Sequence, residues 1–357
     1  MMKNGNFWGR LPLVIRYERI YLSLSLLLLL GLLLLVLLSS CEKKFVDVEP
    51  TIVAIGTGDV TGSYYQTGTI IGKIVEENTS KNNLKVAIES TDGSVANINS
   101  VLSGKFQFAL AQSDRQYQAY KGLEEWKEAG PRKKLRSIIS IYPESITIIA
   151  TEASQIKEIK DIKGKKVGLG STGSGVLANA RDILKAYAIN ESDFEPLYVK
   201  PLEAFKLIRE GGLDAFFYTI GHPSTNIKNL TMISNVKVRF ISITGTERDQ
   251  LCSKYPYYTD TVIAASTYPA ALNERDITSI GVLATLVTSE SVDEEIVYKF
   301  TKDLFSNLAK LKDSNSLYSN LSRERLFDGL SAPIHAGALK YFKEVDMLKY
   351  IDKNLIN

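Results

Sequence analysis

Three stretches of this sequence gather glycine, serine and threonine where a β-type run gives way to a helical one. They are Gly56-Thr57-Gly58-Asp59-Val60-Thr61-Gly62-Ser63, Glu89-Ser90-Thr91-Asp92-Gly93-Ser94 and Gly168-Leu169-Gly170-Ser171-Thr172-Gly173-Ser174-Gly175. Glycines allow tight turns, hydroxyls donate hydrogen bonds, and the free N–H groups of a helix start attract negative charge. Such a loop can hold a carboxylate without lysine or arginine. Any one of these loops also reads as a plain helix N-cap; three of them together point to a shared site. Tyr64, Tyr65, Tyr117, Tyr142 and Tyr218 fall near these loops, and Tyr64 and Tyr65 are the best placed to wall a cleft while offering a hydroxyl.

Other chemistries fit less well. Gly168-Leu169-Gly170-Ser171-Thr172-Gly173 matches G-x-G-x-x-G, with Glu191 and Asp193 about 20 residues further on. A dinucleotide fold leaves the other two loops unexplained. No Walker lysine follows the glycines, no G-x-S-x-G elbow is present, and His222 and His335 lack metal-ligand spacing. Cys252 has no histidine near it in sequence and reads as structural. Binding without catalysis, cofactor or metal is the expectation.

The elements that must carry the loops follow from periodicity. Strands are expected at 52–55, 84–88, 106–111, 165–169, 196–199, 215–218, 238–243 and 281–288. Helices are expected at 64–77, 95–102, 176–187, 204–210 and 294–311, and two β-type runs within 137–150 are split by Tyr142-Pro143-Glu144. Strands separated by helices of this size build parallel α/β units. Ligands of such sheets sit beyond the carboxyl ends of the strands, where the three loops gather. The apolar strands 146–151 and 282–288 bracket the second α/β unit, as a chain that crosses twice between two lobes requires. The expected fold is therefore α/β and two-lobed with two hinge strands. Residues 51–145 and 287–357 form lobe 1, and 146–286 form lobe 2.

The chain has 357 residues with 43 Lys+Arg, 40 Asp+Glu, two Cys and two His. A composition 45% hydrophobic and 23% charged is globular, and a net charge of +3 does not suit a nucleic-acid binder. Four basic residues against one acidic residue fall in 1–40, so the rest of the chain is neutral. A basic start, the leucine-rich run 26–38 and the small residues Ser39 and Ser40 form an export signal. Leu38-Ser39-Ser40-Cys41 resembles the bacterial lipobox, which implies a signal peptide over 1–40, a lipidated Cys41 and a linker over 41–50. An uncleaved anchor is the alternative, since the run borders on spanning length. Both place the remainder outside the cytoplasm.

The loops, with Ala111-Gln112-Ser113-Asp114, Tyr142-Pro143-Glu144, Asp214-Ala215-Phe216-Phe217 and Pro333-Ile334-His335-Ala336-Gly337-Ala338, resemble the TAXI solute receptors of TRAP transporters, in order along nearly the whole mature chain. The resemblance implies a type II periplasmic-binding-protein fold closing on a small solute, with delivery to the TRAP membrane subunits. It also implies a carboxylate or amino acid as ligand, such as glutamate or 2-oxoglutarate. Ligand contacts are expected from Gly58, Thr61, Tyr64, Tyr65, Ser94 and Gln112 in lobe 1 and Ser171, Thr172, Gly173 and Ser174 in lobe 2. The turn Thr219-Ile220-Gly221 should border the cleft. A sensor feeding a membrane kinase, or a secreted enzyme on the same scaffold, are the rival readings.

Several positions depart from the family pattern. Asp59 and Asp92 stand where glycine is usual, Gln66 and Ala336 where proline is, and Arg115 where tryptophan is. Facing the cleft, Asp59 and Asp92 would repel a dicarboxylate and favour an ammonium group. As helix N-caps they would point to solvent.

Overall fold

The computed structural model describes residues 25–32, 49–233 and 235–356. The chain divides after Glu49 into two units. In the first, residues 25–32 are helical; the lipobox and Cys41 lie outside the described residues.

The second unit alternates strands and helices from its first residues. Strand β1 (Thr51–Gly56) leads into helix α1 (Ser63–Glu76), then β2 (Leu84–Glu89), α2 (Ser94–Leu102), β3 (Phe108–Gln112) and α3 (Ser113–Lys121). β1 pairs in parallel with both β2 and β3, so the loops after all three strands emerge at one sheet end. Helix α1 buries Tyr64, Ile71 and Val75 on one face, the spacing of an amphipathic helix on a sheet.

The long strand β4 (Leu135–Thr151) then leaves this layer and opens the second α/β unit. That unit contains β5 (Lys166–Gly168), α4 (Gly175–Ala186), β6 (Glu195–Leu197), α5 (Pro201–Glu210) and β7 (Ala215–Ile220). β8 (Val238–Phe240) and β9 (Thr259–Ile263) follow, and β10 (Ile277–Ser289) returns beside β4. The strand order is β2-β1-β3-β10-β4-β7-β5-β6, with β8 on β4 and β9 on β10. β4 and β10 pair antiparallel from Gly281 against Ser145 to Ser289 against Leu135. Each pairs with lobe 1 at one end and lobe 2 at the other, which makes them the two hinge strands.

The apolar packing divides in the same way. Ile55, Ile71, Phe108, Leu286 and Phe300 belong to one cluster, and Ile148, Val167, Ile183, Phe217 and Val282 to another. Helices Glu294–Ser306 and Ala336–Glu344 cover the first lobe. Helix α3 and strand β9 are not among the expected elements, and two expected elements run differently. Tyr142-Pro143-Glu144 does not split β4, because Pro143 falls where the strand changes neighbours and a missing N–H is cheap. Ser137 and Ser140 bond to the C-terminal segment, and pairing with β7 begins only at Ser145. The helix expected over 294–311 breaks at Asn307, whose side-chain amide donates back to the Asp303 carbonyl and competes with the helical ladder.

Candidate functional site

The loops after β1 and β2 are tied together before any ligand is considered. The Asn97 amide, fully buried on α2, donates to the carbonyls of Thr57 and Leu110 at 2.5 and 2.7 Å and accepts from the Thr91 hydroxyl at 2.7 Å. Ser90 donates to the Gly58 carbonyl at 2.8 Å. Gly93 precedes α2 at φ +112°, a conformation that suits glycine, and offers no side-chain cap; nor does Gly62 before α1. The starts of both helices keep backbone donors for other partners. Across the cleft, α4 is capped by the Ser174 hydroxyl, which accepts from the Leu177 N–H at 3.0 Å.

A cavity of about 70 Å³ lies between these loops. Gly58, Tyr64, Ser94 and Gln112 line it from lobe 1, and Ser171, Ser174 and Thr219 from lobe 2. The other expected contacts lie elsewhere. Thr61 turns its hydroxyl onto the Asp59 carboxylate and borders the neighbouring hollows. Tyr65, one residue round the helix from Tyr64, is not among the residues lining the cavity, and its carbonyl accepts from the Thr69 hydroxyl. Thr172 is exposed. Gly173 is taken up by contact between the lobes, its carbonyl accepting from the Ala96 N–H at 3.1 Å. Gly221 is packed against Tyr142 and Leu317 beside an adjoining hollow.

The cavity also holds residues that the loop argument did not single out as contacts, chiefly Glu144, Tyr218, Asp59 and Asp92. Glu144 is only 2% exposed and accepts a hydrogen bond from the Tyr64 hydroxyl at 2.8 Å. Burial pushes its carboxyl from 4.5 up to about 8, against the lowering effect of the Tyr64 bond and with a small rise from Asp114. The Tyr218 hydroxyl is raised above the usual phenol range by burial and by the nearby charges of Asp59 and Glu144. A signal for Glu144 was present in the sequence: a carboxylate inside a run of isoleucines has to be compensated or used.

Asp59 and Asp92 take neither of the two simple alternatives in full. Both line the cavity, and neither caps a helix. Asp59 folds back onto the Thr61 N–H at 2.9 Å. Asp92 reaches across the cleft to Lys200 at 3.0 Å, with both side chains about half exposed. The lining residues themselves include no Lys, Arg or His.

Further contacts close the lobes on each other. Asn226 donates to the Thr61 carbonyl at 2.8 Å, and Asn179 donates to Asp114 at 2.6 Å while accepting from Thr219 at 2.9 Å. Arg115, 1% exposed, pairs with Asp114 at 2.9 Å and with Asp182 of lobe 2 at 3.0 Å. Gly175 abuts the Gln112 side chain so closely that a Cβ there would overlap its amide.

Known proteins share this architecture. MatC from Rhodopseudomonas palustris, solved with bound malate, is 12% identical over 84% of this chain and 98% of its own, with a TM-score of 0.52. The alkanesulfonate-binding protein SsuA from Xanthomonas axonopodis pv. citri, bound to MOPS, is 15% identical over 87% and 96%, with a TM-score of 0.45. The GluR0 ligand-binding core from Nostoc punctiforme, in complex with (L)-glutamate, is 14% identical over 74% and 98%, with a TM-score of 0.42. The MatC likeness, at 12% identity, concerns the fold alone, a two-lobed α/β architecture. The sequence model of the NMT1-like family matches residues 55–345, most of the chain, and the protein belongs to that family.

Proposed function

We propose that this chain is an extracytoplasmic solute-binding lipoprotein that captures a small carboxylate or amino acid for uptake by a TRAP transporter. The observation that carries the reading is the cavity itself. It is walled by helix-start loops of both lobes, at the carboxyl ends of β1, β2 and β3, and it lies next to the two strands about which the lobes can hinge. In this reading residues 51–145 with 287–357 and residues 146–286 are the moving bodies, and Cys41 holds the receptor at the membrane. The resemblance of the loops to TAXI receptors supports the choice of transporter.

The mechanism is a population shift. A ligand that touches Tyr64, Ser94 and Gln112 on one side and Ser171, Ser174 and Thr219 on the other gains its full set of contacts only when the lobes meet, so it favours closure by that difference in affinity. His222 is engaged by Thr147 and Tyr268, and His335 by the Gly337 N–H and the Val292 carbonyl, so neither activates a cleft serine. Calorimetry on residues 42–357 with glutamate, glutamine, 2-oxoglutarate and C4-dicarboxylates tests the reading. Binding by at least one of them is expected, and silence across the panel would remove the carboxylate.

A further inference from the structure

The cavity is chemically lopsided. Glu144 and Asp59 both stand within electrostatic reach of the Tyr218 hydroxyl. That hydroxyl is buried without a hydrogen-bond partner, as are the Gln112 amide oxygen and the Ser63 hydroxyl. Buried polar atoms left unpaired in a cleft mark places where a ligand completes the bonding. Glu144 and Asp59 on this wall are carboxylates, the Gln112 oxygen is an obligate acceptor, and no cationic side chain is among the lining residues to balance them. The opposite requirement holds where α1 and α2 begin, since Gly62 and Gly93 supply no side-chain cap, although the Ala96 N–H of α2 is already held by the Gly173 carbonyl.

Resting on the proposed function and narrowing it, we propose that the ligand is a zwitterionic amino acid whose ammonium group sits against Glu144, Asp59 and the Gln112 oxygen. Its carboxylate then meets the backbone donors at the helix starts. A ligand without the ammonium group offers no hydrogen-bond donor to the Asp59 carboxylate and the Gln112 oxygen and no cation to take the place of the Glu144 proton, which disfavours dicarboxylates and 2-oxo acids. Glu144 is a specificity-determining contact. Tyr64 of α1, Tyr142 of its own strand, Tyr218 of β7 and Asp114 of α3 surround it, and β10 sets Val282 opposite. All of the titratable neighbours are neutral or acidic, so a cation to pair with ionised Glu144 has to come from the ligand. Burial keeps the Glu144 carboxyl protonated up to about pH 8 in the empty cleft; an arriving ammonium group displaces that proton, and binding releases it to solvent.

The test is calorimetry on matched pairs that differ only in the amino group: L-glutamate against glutarate and 2-oxoglutarate, L-alanine against propionate, glycine against acetate. Amino acids are expected to bind at least tenfold more tightly than their partners. Equal binding within a pair overturns the inference while leaving a solute receptor standing, and silence from both members of every pair overturns the carboxylate-or-amino-acid reading of the proposed function as well. The pH dependence gives a second readout. With about 1% of Glu144 ionised at pH 6 and half at pH 8, affinity for the amino acid should rise about fiftyfold over that interval, and the rise should vanish in Glu144→Gln. Affinity that falls with pH also overturns the inference, because that is the sign expected when a neutral Glu144 donates to a ligand carboxylate.

Discussion

Replacing Glu144 by glutamine tests the electrostatics of the cleft without any ligand. Glutamine keeps the shape and can still accept from the Tyr64 hydroxyl, so the packing around β4 is preserved while the ionisable proton is lost. The carboxyl titrates at 4.5 when the chain is unfolded and at about 8 when folded. Between those values the unfolded chain gives up the proton and the folded chain keeps it. The stability this carboxyl lends is complete below pH 4.5 and is lost as pH rises toward 8. At 1.36 kcal/mol per pH unit, the loss between pH 5 and pH 8 comes to roughly 3 to 4 kcal/mol, a large share of an ordinary domain's stability. Urea unfolding of residues 42–357 and of the Glu144→Gln variant at pH 5, 6, 7 and 8 reads this directly. The two should be nearly equal at pH 5, with the variant gaining steadily on the parent up to pH 8. A constant difference across the range would refute the reasoning, since it would mean that Glu144 ionises in the folded chain as easily as in water.

Gly175→Ala should fold normally, because alanine is the better helix former at the start of α4, yet bind at least tenfold more weakly, because its methyl meets the Gln112 amide before the lobes can close; calorimetry with small-angle scattering separates the two effects. Arg115→Ala leaves Asp114 and Asp182 without their cation and should cost about 3 to 5 kcal/mol in chemical unfolding. Ser174→Ala removes the cap of α4 and should lower stability by about 1 kcal/mol, with a loss of affinity as well. Burial lowers His222 from 6.5 to about 4, so the unfolded chain binds a proton that the folded chain refuses; stability should fall as pH drops from 6.5 to 4, and His222→Gln should flatten that slope in melting curves.

Much of the site could be read from local pattern. Gly58, Ser94, Ser171 and Ser174 stand at the junctions of strand and helix, and such junctions meet at one end of a parallel sheet. What did not come through was direction around a helix or within a turn. Tyr64 and Tyr65 have the same chemistry and adjacent numbers, but about 100° of helix separates them, and only the packing of α1 on its sheet decides which one enters the cleft. Thr61 looked like a hydroxyl for the ligand; its neighbour Asp59 claims it through a two-residue hydrogen-bonded turn. Asp92 finds Lys200, 108 positions away in sequence, because closing the lobes brings the two loops together.

Local residue spacing is enough to set the alternation of strands and helices, the glycine and hydroxyl loops between them, and the apolar strands that pass between lobes, because each depends on only a few turns of chain. Tertiary structure alone decided the electrostatic character of the cleft. Glu144 sits in a β-run, Gln112 at the end of another and Asp59 in a loop, and nothing local relates them. They share one wall only because β4 passes beside β10 and carries Glu144 under the loops of the first lobe, where the loss of water raises its proton affinity. A carboxylate becomes selective when its solvent is taken away, and that is a property of the folded chain.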